Sequence, residues 1–238
     1  MTWLNVIETA AVAAGMGSLY YACSVPKSQV LGRSLVRGPA EGRKVALTFD
    51  DGPAPPFTDQ ILDILRDHKV PATFFVCGQN VDRNPEALRR IHAEKHGIGN
   101  HTYSHPFLYF KSRRRISREI DRTQAAIERV TGIPPRIFRP PYGIRWFGLF
   151  PVLRQRGMQL IQWSDAGFDW IEKNSPADIA RLSLKGLRAG AVILLHDGRN
   201  ALPPDQFDRS RTVAALPAII KGAQKAGFTL VPIQEFVS

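Results

Sequence analysis

The sequence predicts an α/β protein built on a parallel sheet, because short apolar runs alternate with amphipathic stretches. The apolar runs are rich in β-branched and aromatic residues, and the stretches between them carry apolar side chains at helical spacing. This alternation is typical of βαβ units, whose strands either close into a barrel or form an open doubly wound sheet. The seven candidate strands cover residues 44–48, 72–76, 97–99, 136–139, 158–163, 191–195 and 228–232.

One helical stretch illustrates the pattern between the strands. Ile116, Ile120, Ile127 and Val130 recur on one side of a helix, and Gly132 follows as a typical residue just past a helix end. The chain contains neither the GxGxxG pattern of a dinucleotide site nor the GxxxxGK pattern of a phosphate loop. Nucleotide chemistry is therefore not indicated.

The composition is that of an ordinary globular protein, since 44% of the 238 residues are hydrophobic and 22% are charged. It excludes a disordered chain and a collagen-like repeat. Cys23 and Cys77 are too few for a disulfide framework or a cysteine-rich zinc site. The formal net charge of +11 predicts attraction to a polyanion such as nucleic acid, an anionic membrane surface or an acidic cell-wall polymer.

The beginning of the chain differs from the rest, because residues 9–26 form an uncharged segment of 18 residues. That length reaches the lower limit of a membrane-spanning helix, although its Ala, Gly and Ser content makes transfer into lipid weak. The basic residues that open a secretory signal peptide are missing, and the Lys and Arg residues from Lys27 onward favour a cytoplasmic body. The segment is therefore either a membrane anchor or a helix packed on the domain or lying at an interface.

Ionisable side chains follow five of the seven candidate strands, at the point where each strand ends. Since the carboxyl ends of parallel strands meet at one rim, these side chains are expected to lie close together and to form a site. The segments are Asp50-Asp51-Gly52-Pro53, Asn100-His101-Thr102-Tyr103-Ser104-His105, Arg139-Pro140-Pro141-Tyr142-Gly143, Ser164-Asp165 with Asp169-Trp170, and His196-Asp197.

Two of these segments suggest a metal ion. His101 and His105 share a face if their segment is helical, which can bring both imidazoles to one metal. A carboxylate from a neighbouring strand would complete three ligands and leave positions open for water and substrate. The two histidines alone could also be ordinary surface or core residues. Asp50-Asp51-Gly52-Pro53 alone could be a solvated turn. Together they favour a catalytic metal.

The strand ends resemble the motifs of the carbohydrate esterase family 4 polysaccharide deacetylases, also called the NodB homology domain. The resemblance runs from residue 44 to about residue 235, and four motifs occur in the family's order. They are Thr48-Phe49-Asp50-Asp51-Gly52-Pro53, His101-Thr102-Tyr103-Ser104-His105, Arg139-Pro140-Pro141-Tyr142-Gly143 and Leu194-Leu195-His196-Asp197.

The resemblance implies a distorted (β/α) barrel of about seven parallel strands with outer helices. It divides the chain into a head and linker at residues 1–38 and a catalytic domain at residues 39–238. It also implies one divalent metal, most often Zn2+, with Co2+, Ni2+ and Fe2+ as alternatives. The implied ligands are Asp51, His101 and His105.

The same resemblance assigns catalytic roles. Asp50 would be the general base, held by Arg139, and the backbone N–H of Tyr142 would stabilise the oxyanion. His196 would protonate the leaving amine. Two further side chains would line the pocket for the acetyl methyl group, namely Trp170 and Leu194.

The fourth family motif departs from the usual Asp-x-x-Asp-Trp pattern. Counting back from Asp169-Trp170, its first position is Ala166, and Asp165 lies one residue earlier. Asp165 would therefore start on the other face of a strand. Either Asp165 reaches His196 through a bulge, or Asp169 substitutes for it, or the histidine is tuned in another way.

The leading hypothesis is a metal-dependent hydrolase that removes N-acetyl groups from an amino-sugar polysaccharide or glycolipid in the cell envelope or at a membrane. Alternatives are hydrolysis of a small amide or imide, a metal-binding glycan-recognition pseudoenzyme, and a two-histidine-one-carboxylate iron site. An iron site of that kind would give no role to Asp50 and Arg139. Residues 111–122 are rich in Arg and form either a solvated helix face or a surface that binds an anionic glycan or lipid headgroup. Nucleic acid is not needed as a partner, and the sequence does not indicate an oligomeric state.

Overall fold

The protein is an eight-stranded parallel sheet curved into a partial barrel and surrounded by helices. The computed structural model describes residues 3–237, with side chains from residue 12 onward. The strands lie in the order β5-β4-β3-β2-β1-β7-β6, and β8 pairs with β1 beside this path. Their bounds are β1 Lys44–Asp50, β2 Thr73–Val76, β3 Gly97–Asn100, β4 Ile137–Phe138, β5 Gln159–Leu160, β6 Asp165–Ala166, β7 Val192–His196 and β8 Thr229–Leu230.

Helices connect the strands and cover the outside of the sheet. Ser112 caps the start of the longest helix after the first by accepting a hydrogen bond from the N–H of Arg115, and Gly132 ends that helix at φ +75°. Ser175 and Asp178 form a capping box on another. The described α-helices are α1 Trp3–Ser24, α2 Phe57–Asp67, α3 Gly78–Arg83, α4 Pro85–Ala93, α5 Arg113–Thr131, α6 Leu149–Gln155, α7 Pro176–Leu184 and α8 Ser210–Lys225.

The seven predicted strands are all present, and the sheet contains one more, β6. The sequence gives little sign of β6, because it is two residues long and begins with a charged residue. β4 and β5 are each two residues long, so they are shorter than the apolar runs at 136–139 and 158–163 that indicated them. The predicted α/β class, with all-parallel pairing, is confirmed.

Apolar side chains fill both faces of the sheet. Between the sheet and its outer helices lies a large cluster that includes Leu47, Phe74 and Ile193. Inside the curve lies a second cluster that includes Phe75 and Val192. Alternate residues of one strand thus point to opposite layers, as the period of a strand requires. The predicted site lies at the ends of the strands.

The barrel is open between β5 and β6, and a short piece of chain lies across the opening. We call residues 35–38 the strap. Leu35 pairs in parallel with Ile161 just past β5, while Arg37 forms a 3.5 Å ion pair with Asp165 of β6. The strap continues to β7, where the N–H of Gly38 donates to the carbonyl before that strand, on Gly190, at 2.8 Å. The strap therefore packs on the barrel, and the division of the chain at residues 38 and 39 stays a prediction.

Helix α1 projects from the body and is held at its C-terminal end. Residues 12–21 are all exposed, whereas Ala22 and Cys23 are buried. The N–H of Arg145 donates to the carbonyl of Cys23 at 2.8 Å. Among the described residues, no helix is both long and apolar enough to cross a membrane.

Candidate active site

The base predicted at the end of β1 lies against a buried arginine. Arg139 follows β4 and donates from Nη1 to Oδ1 of Asp50 at 2.7 Å and to the hydroxyl of Thr48 at 2.8 Å. Its Nη2 donates to the carbonyl of Gln162 at 3.1 Å. Arg139 has no exposed surface and its guanidinium lies 4.1 Å from the ring centre of Phe75. A buried charge of this kind persists because it is paired and hydrogen-bonded, so the pair fixes the Asp50 carboxylate at the rim.

Asp51, His101 and His105 converge beside Asp50. Oδ1 of Asp51 lies 3.4 Å from Nε2 of His101 and 3.1 Å from Nε2 of His105. All three residues are buried, and they contribute ligand atoms within 4.8 Å of one another. Burial opposes the charge on Asp51, but the two histidines outweigh it and hold the pKa of the carboxyl well below its ordinary value.

The donor atoms of this group suit a divalent metal ion. Nδ1 of His101 lies 2.7 Å from the carbonyl of Arg139, so it carries the proton and leaves the Nε2 lone pair facing Asp51. The other carboxylate oxygen of Asp51 accepts the N–H of Asn200 at 2.8 Å. Oδ1 is buried and accepts no hydrogen bond from any residue that the structure describes. An unpartnered buried carboxylate oxygen facing two imidazole nitrogens is what a metal ion would satisfy.

The predicted acid stands directly beside the base. His196 ends β7 and is the register partner of Asp50 on β1. Its Nδ1 lies 2.9 Å from Oδ1 of Asp169, whose Oδ2 accepts the backbone N–H of His196 at 2.8 Å and the hydroxyl of Thr212 at 2.9 Å. Burial lowers the pKa of His196, but the Asp169 carboxylate outweighs it, so the pKa lies above its ordinary value.

Asp169 is therefore the carboxylate that contacts His196, and the structure contradicts the alternative in which Asp165 reaches it. Asp165 is level with Ile193 in the β6–β7 register, three residues before His196 and so about 10 Å from the strand end. Its carboxylate instead contacts Arg37 and accepts the hydroxyl of Ser164 at 2.7 Å. The carboxylate that reaches His196 therefore comes from Asp169 in the loop after β6, and not from Asp165 through a bulge in β6.

Asp197 is a site residue to which the sequence assigned no role. It is completely buried, and its carboxylate accepts the N–H of Gly52 at 3.0 Å and the hydroxyl of Thr58 at 2.6 Å. Burial raises its pKa to about 7. A Cβ on Gly52 would collide with this carboxylate, which explains the glycine after Asp51. Asp197 thus holds the turn that follows Asp50 and Asp51, the predicted base and metal ligand. Its position directly after His196 was the only sign of this role in the sequence.

Tyr142 lies at the mouth of the site in a left-handed conformation. Its φ of +57° is unusual for a residue with a side chain, and such strain persists where surrounding structure enforces it. The ring packs edge-on against His105 at 4.7 Å between centroids and stacks on Phe107 at 3.9 Å. The ring of Tyr142 therefore lies next to His105, one of the candidate metal ligands, in the turn where the sequence predicted an oxyanion donor.

These side chains surround a cavity of about 620 Å3, a size typical of small-ligand sites. Trp170 and Leu194, which were expected to contact an acetyl methyl group, both line it, as does Trp163. Trp170 packs edge-on against the ring of His196 at 5.3 Å between centroids. The predicted base, the predicted acid, the three candidate metal ligands and Tyr142 line the same cavity, whereas Asp165, which contacts the strap, is not among its lining residues.

Comparison with known proteins decides the family. The model of the family described as polysaccharide deacetylase matches residues 37–186. The chain belongs to the polysaccharide deacetylase family. The resemblance seen in the four motifs is thereby confirmed, and so is the class of the protein, a hydrolase. Within the matched range lie Asp50, Asp51, His101, His105 and Arg139, while His196 follows it.

Individual deacetylases match most of the chain. A peptidoglycan-N-acetylglucosamine deacetylase of Bacillus cereus is 35% identical over 201 residues, which cover 84% of this chain and 90% of that protein. A chitooligosaccharide deacetylase of Sinorhizobium fredii is 37% identical over 205 residues, covering 83% and 94%. The crystal structure of the Bc1960 peptidoglycan N-acetylglucosamine deacetylase superposes with a TM-score of 0.78 at 35% identity, covering 85% and 92%. The distorted barrel implied by the resemblance is confirmed by this likeness.

Proposed function

We propose that this deacetylase removes N-acetyl groups from glucosamine residues of an envelope glycan. The observation that carries the proposal is the pairing of Asp50 with Arg139 and of His196 with Asp169 at neighbouring strand ends. A base and an acid thus flank one metal-ligand group. The relatives named for peptidoglycan and for chitooligosaccharides support an N-acetylglucosamine substrate, in the cell envelope or beside a membrane.

A divalent metal bound by Asp51, His101 and His105 would supply Lewis-acid chemistry, lowering the pKa of water and polarising the amide carbonyl. We expect Zn2+, because imidazole and carboxylate ligands with open positions suit catalytic zinc. Co2+, Ni2+ or Fe2+ could occupy the same ligands. Metal content of the purified protein, and activity after chelation and reloading with each ion, identify the one that works.

The protein's own groups would move the protons. Asp50 is held in place by Arg139 and takes the proton of the attacking water. His196 carries its acidic proton on Nε2, because Nδ1–H is engaged by Asp169. It gives that proton to the departing amine of the sugar, so that acetate and a free amino group are released.

The cavity would position the amide for this attack. Trp170 and Leu194 offer an apolar wall for the acetyl methyl group. The backbone N–H of Tyr142 would add a hydrogen bond to the oxyanion that develops on the carbonyl oxygen. Its position is fixed by the left-handed turn and by the stacked ring of Phe107.

Acetate release from chitopentaose and from peptidoglycan tests the proposal. We expect release that stops with a chelator, returns with Zn2+ and is lost in Asp50→Asn. Acetate from neither glycan, with metal bound, would refute the proposal. Turnover of small amides or imides would then support the small-amide alternative. Glycan binding without turnover would support the pseudoenzyme alternative.

A further inference from the structure

A group of five aromatic side chains, three of them exposed and two partly buried, lies beside the mouth of the cavity. We call Phe107, Tyr109, Phe110, Trp146 and Phe147 the aromatic patch. Trp146 is its centre, with ring centroids at 5.5 Å from Tyr109, 4.8 Å from Phe110 and 5.1 Å from Phe147. Phe110 is 85% exposed, Phe147 57% and Phe107 55%. Three exposed phenylalanines in one region exceed the scattered apolar residues normal on a protein surface and indicate an interaction site.

Helix α1 joins this patch at its C-terminal end. The hydroxyls of Ser24 and Tyr109 form a hydrogen bond. Arg145, next to Trp146 in sequence, is buried and donates to the carbonyls of Val25, Pro26 and Ser28 just past the helix. The uncharged, exposed turns of α1 at 12–21 therefore rise from the edge of the aromatic patch.

Free cations border the patch on another side. Lys111, Arg113 and Arg114 follow Phe110 in the chain, are exposed, and form no ion pair among the side chains that the structure describes. The backbone of Arg113 lies against Gly148, next to Phe147. The following arginine, Arg115, differs because it is paired with Glu119 at 2.9 Å. The three free cations thus begin next to Phe110 in the chain, and Arg113 lies beside the segment that carries Trp146 and Phe147.

We propose that this surface binds the interface of an anionic lipid bilayer. Aromatic rings favour the boundary between headgroups and acyl chains, an uncharged helix adds apolar area, and Lys and Arg side chains bind anionic headgroups. The three features adjoin one another here, and the cations supply the charge complementarity that selects an anionic membrane. This inference concerns the location of the enzyme and does not rest on the proposed substrate.

The position of the patch has a consequence for the cavity. Phe107 stacks on Tyr142, which lines the cavity mouth. A bilayer bound at the patch would therefore lie next to the opening. Glycan or glycolipid close to the membrane surface would then reach the site more readily than distant wall polymer.

Binding of the full chain to vesicles tests the proposal. The vesicles are phosphatidylcholine alone and phosphatidylcholine with 30% phosphatidylglycerol, with cosedimentation as the readout. We expect tighter binding to the anionic vesicles. The variant with Lys111, Arg113 and Arg114 changed to Gln should bind about 100-fold more weakly, at about fivefold per charge. The variant Phe110→Ser with Phe147→Ser should bind at least about tenfold more weakly.

A matched control removes three exposed cations that the patch does not include. The control variant carries Gln at three exposed positions on or beside α7 and α8, namely Lys185, Lys221 and Lys225. It should bind vesicles as tightly as the parent does. Acetate release from soluble chitopentaose should be unchanged in all variants, which shows that they fold. Unchanged vesicle binding of both patch variants would overturn the proposal. So would a raised KM for soluble oligomers with vesicle binding intact, because the rings would then be a sugar-binding surface.

Discussion

Replacing Asp169 by Asn removes one charge from the acid pair while keeping the shape of the side chain. In the native site, both carboxylate oxygens accept hydrogen bonds: Oδ1 from Nδ1–H of His196, and Oδ2 from the backbone N–H of His196 and the hydroxyl of Thr212. In the Asp169→Asn variant, the amide oxygen of the new side chain would keep the latter two. Its NH2 group would then face Nδ1, which must accept instead of donate.

The consequence is a histidine that no longer carries an acidic proton. Burial lowers the pKa of His196 and the Asp169 charge raises it above the ordinary value. With that charge gone, burial dominates and the pKa falls. Because the acid works only below its pKa, the alkaline limb of kcat/KM should move to lower pH. General-acid catalysis contributes roughly 10²- to 10⁴-fold, and we expect kcat to fall by that factor above neutral pH.

The measurement is acetate release from chitopentaose between pH 5 and pH 9, with the metal-loaded enzyme. Asp165→Asn is the matched control, since Asp165 contacts Arg37 and Ser164 instead of His196; it should keep the parent's rate and pH profile. A rate and profile for Asp169→Asn indistinguishable from the parent, or an equal loss in both variants, would refute the assignment of the acid pair.

Three further predictions follow from buried contacts. Arg139→Met leaves the buried Asp50 carboxylate unpaired and should lower the free energy of unfolding by about 3–5 kcal/mol, measured by urea denaturation; a cost below 1 kcal/mol would mean that water reaches Asp50. Asp197→Ala leaves the N–H of Gly52 and the hydroxyl of Thr58 without this acceptor, at a cost of about 1–3 kcal/mol each. Urea denaturation should show this loss of stability, and a metal titration should show reduced metal affinity. Unchanged metal affinity would contradict the role of Asp197 in holding the turn. Zn2+ at 100 times its Kd should stabilise the protein by about 2.7 kcal/mol, seen as a rise in Tm that a chelator reverses and that His101→Ala removes; the same rise in His101→Ala would place the metal elsewhere.

Most residues of the candidate site could be predicted from the sequence, because they follow the apolar runs that mark the strands. Asp50 and His196 end strands whose hydrophobic patterns are strong, so their convergence follows from the geometry of parallel sheets. The partner of His196 was not readable in the same way. Asp169 lies in an irregular loop after β6, and no periodic rule says which of two nearby carboxylates a loop turns inward.

Other features depend on contacts between distant parts of the chain. The sequence marks Asp197 only as part of a motif, whereas its role rests on Thr58, 139 residues away. Likewise, nothing in the two residues of β6 reveals that Arg37 lies across from them, since the pairing joins positions 128 apart. The uncharged head lies largely in helix α1, and the structure shows that Arg145 holds the C-terminal end of this helix.

The strap at residues 35–38 precedes β1 in the chain, yet it spans the opening of the barrel between β5 and β6. Contacts so distant in sequence are expected to form late in folding, because loop closure costs entropy before the contacts compensate for it. A chain shortened to begin at residue 39 would retain every rim residue, yet the β5 edge would lose Leu35 and Asp165 would lose its ion pair with Arg37. We expect such a chain to aggregate through its unprotected strand edge. Such a result would place the start of the folding unit before residue 39, within the strap.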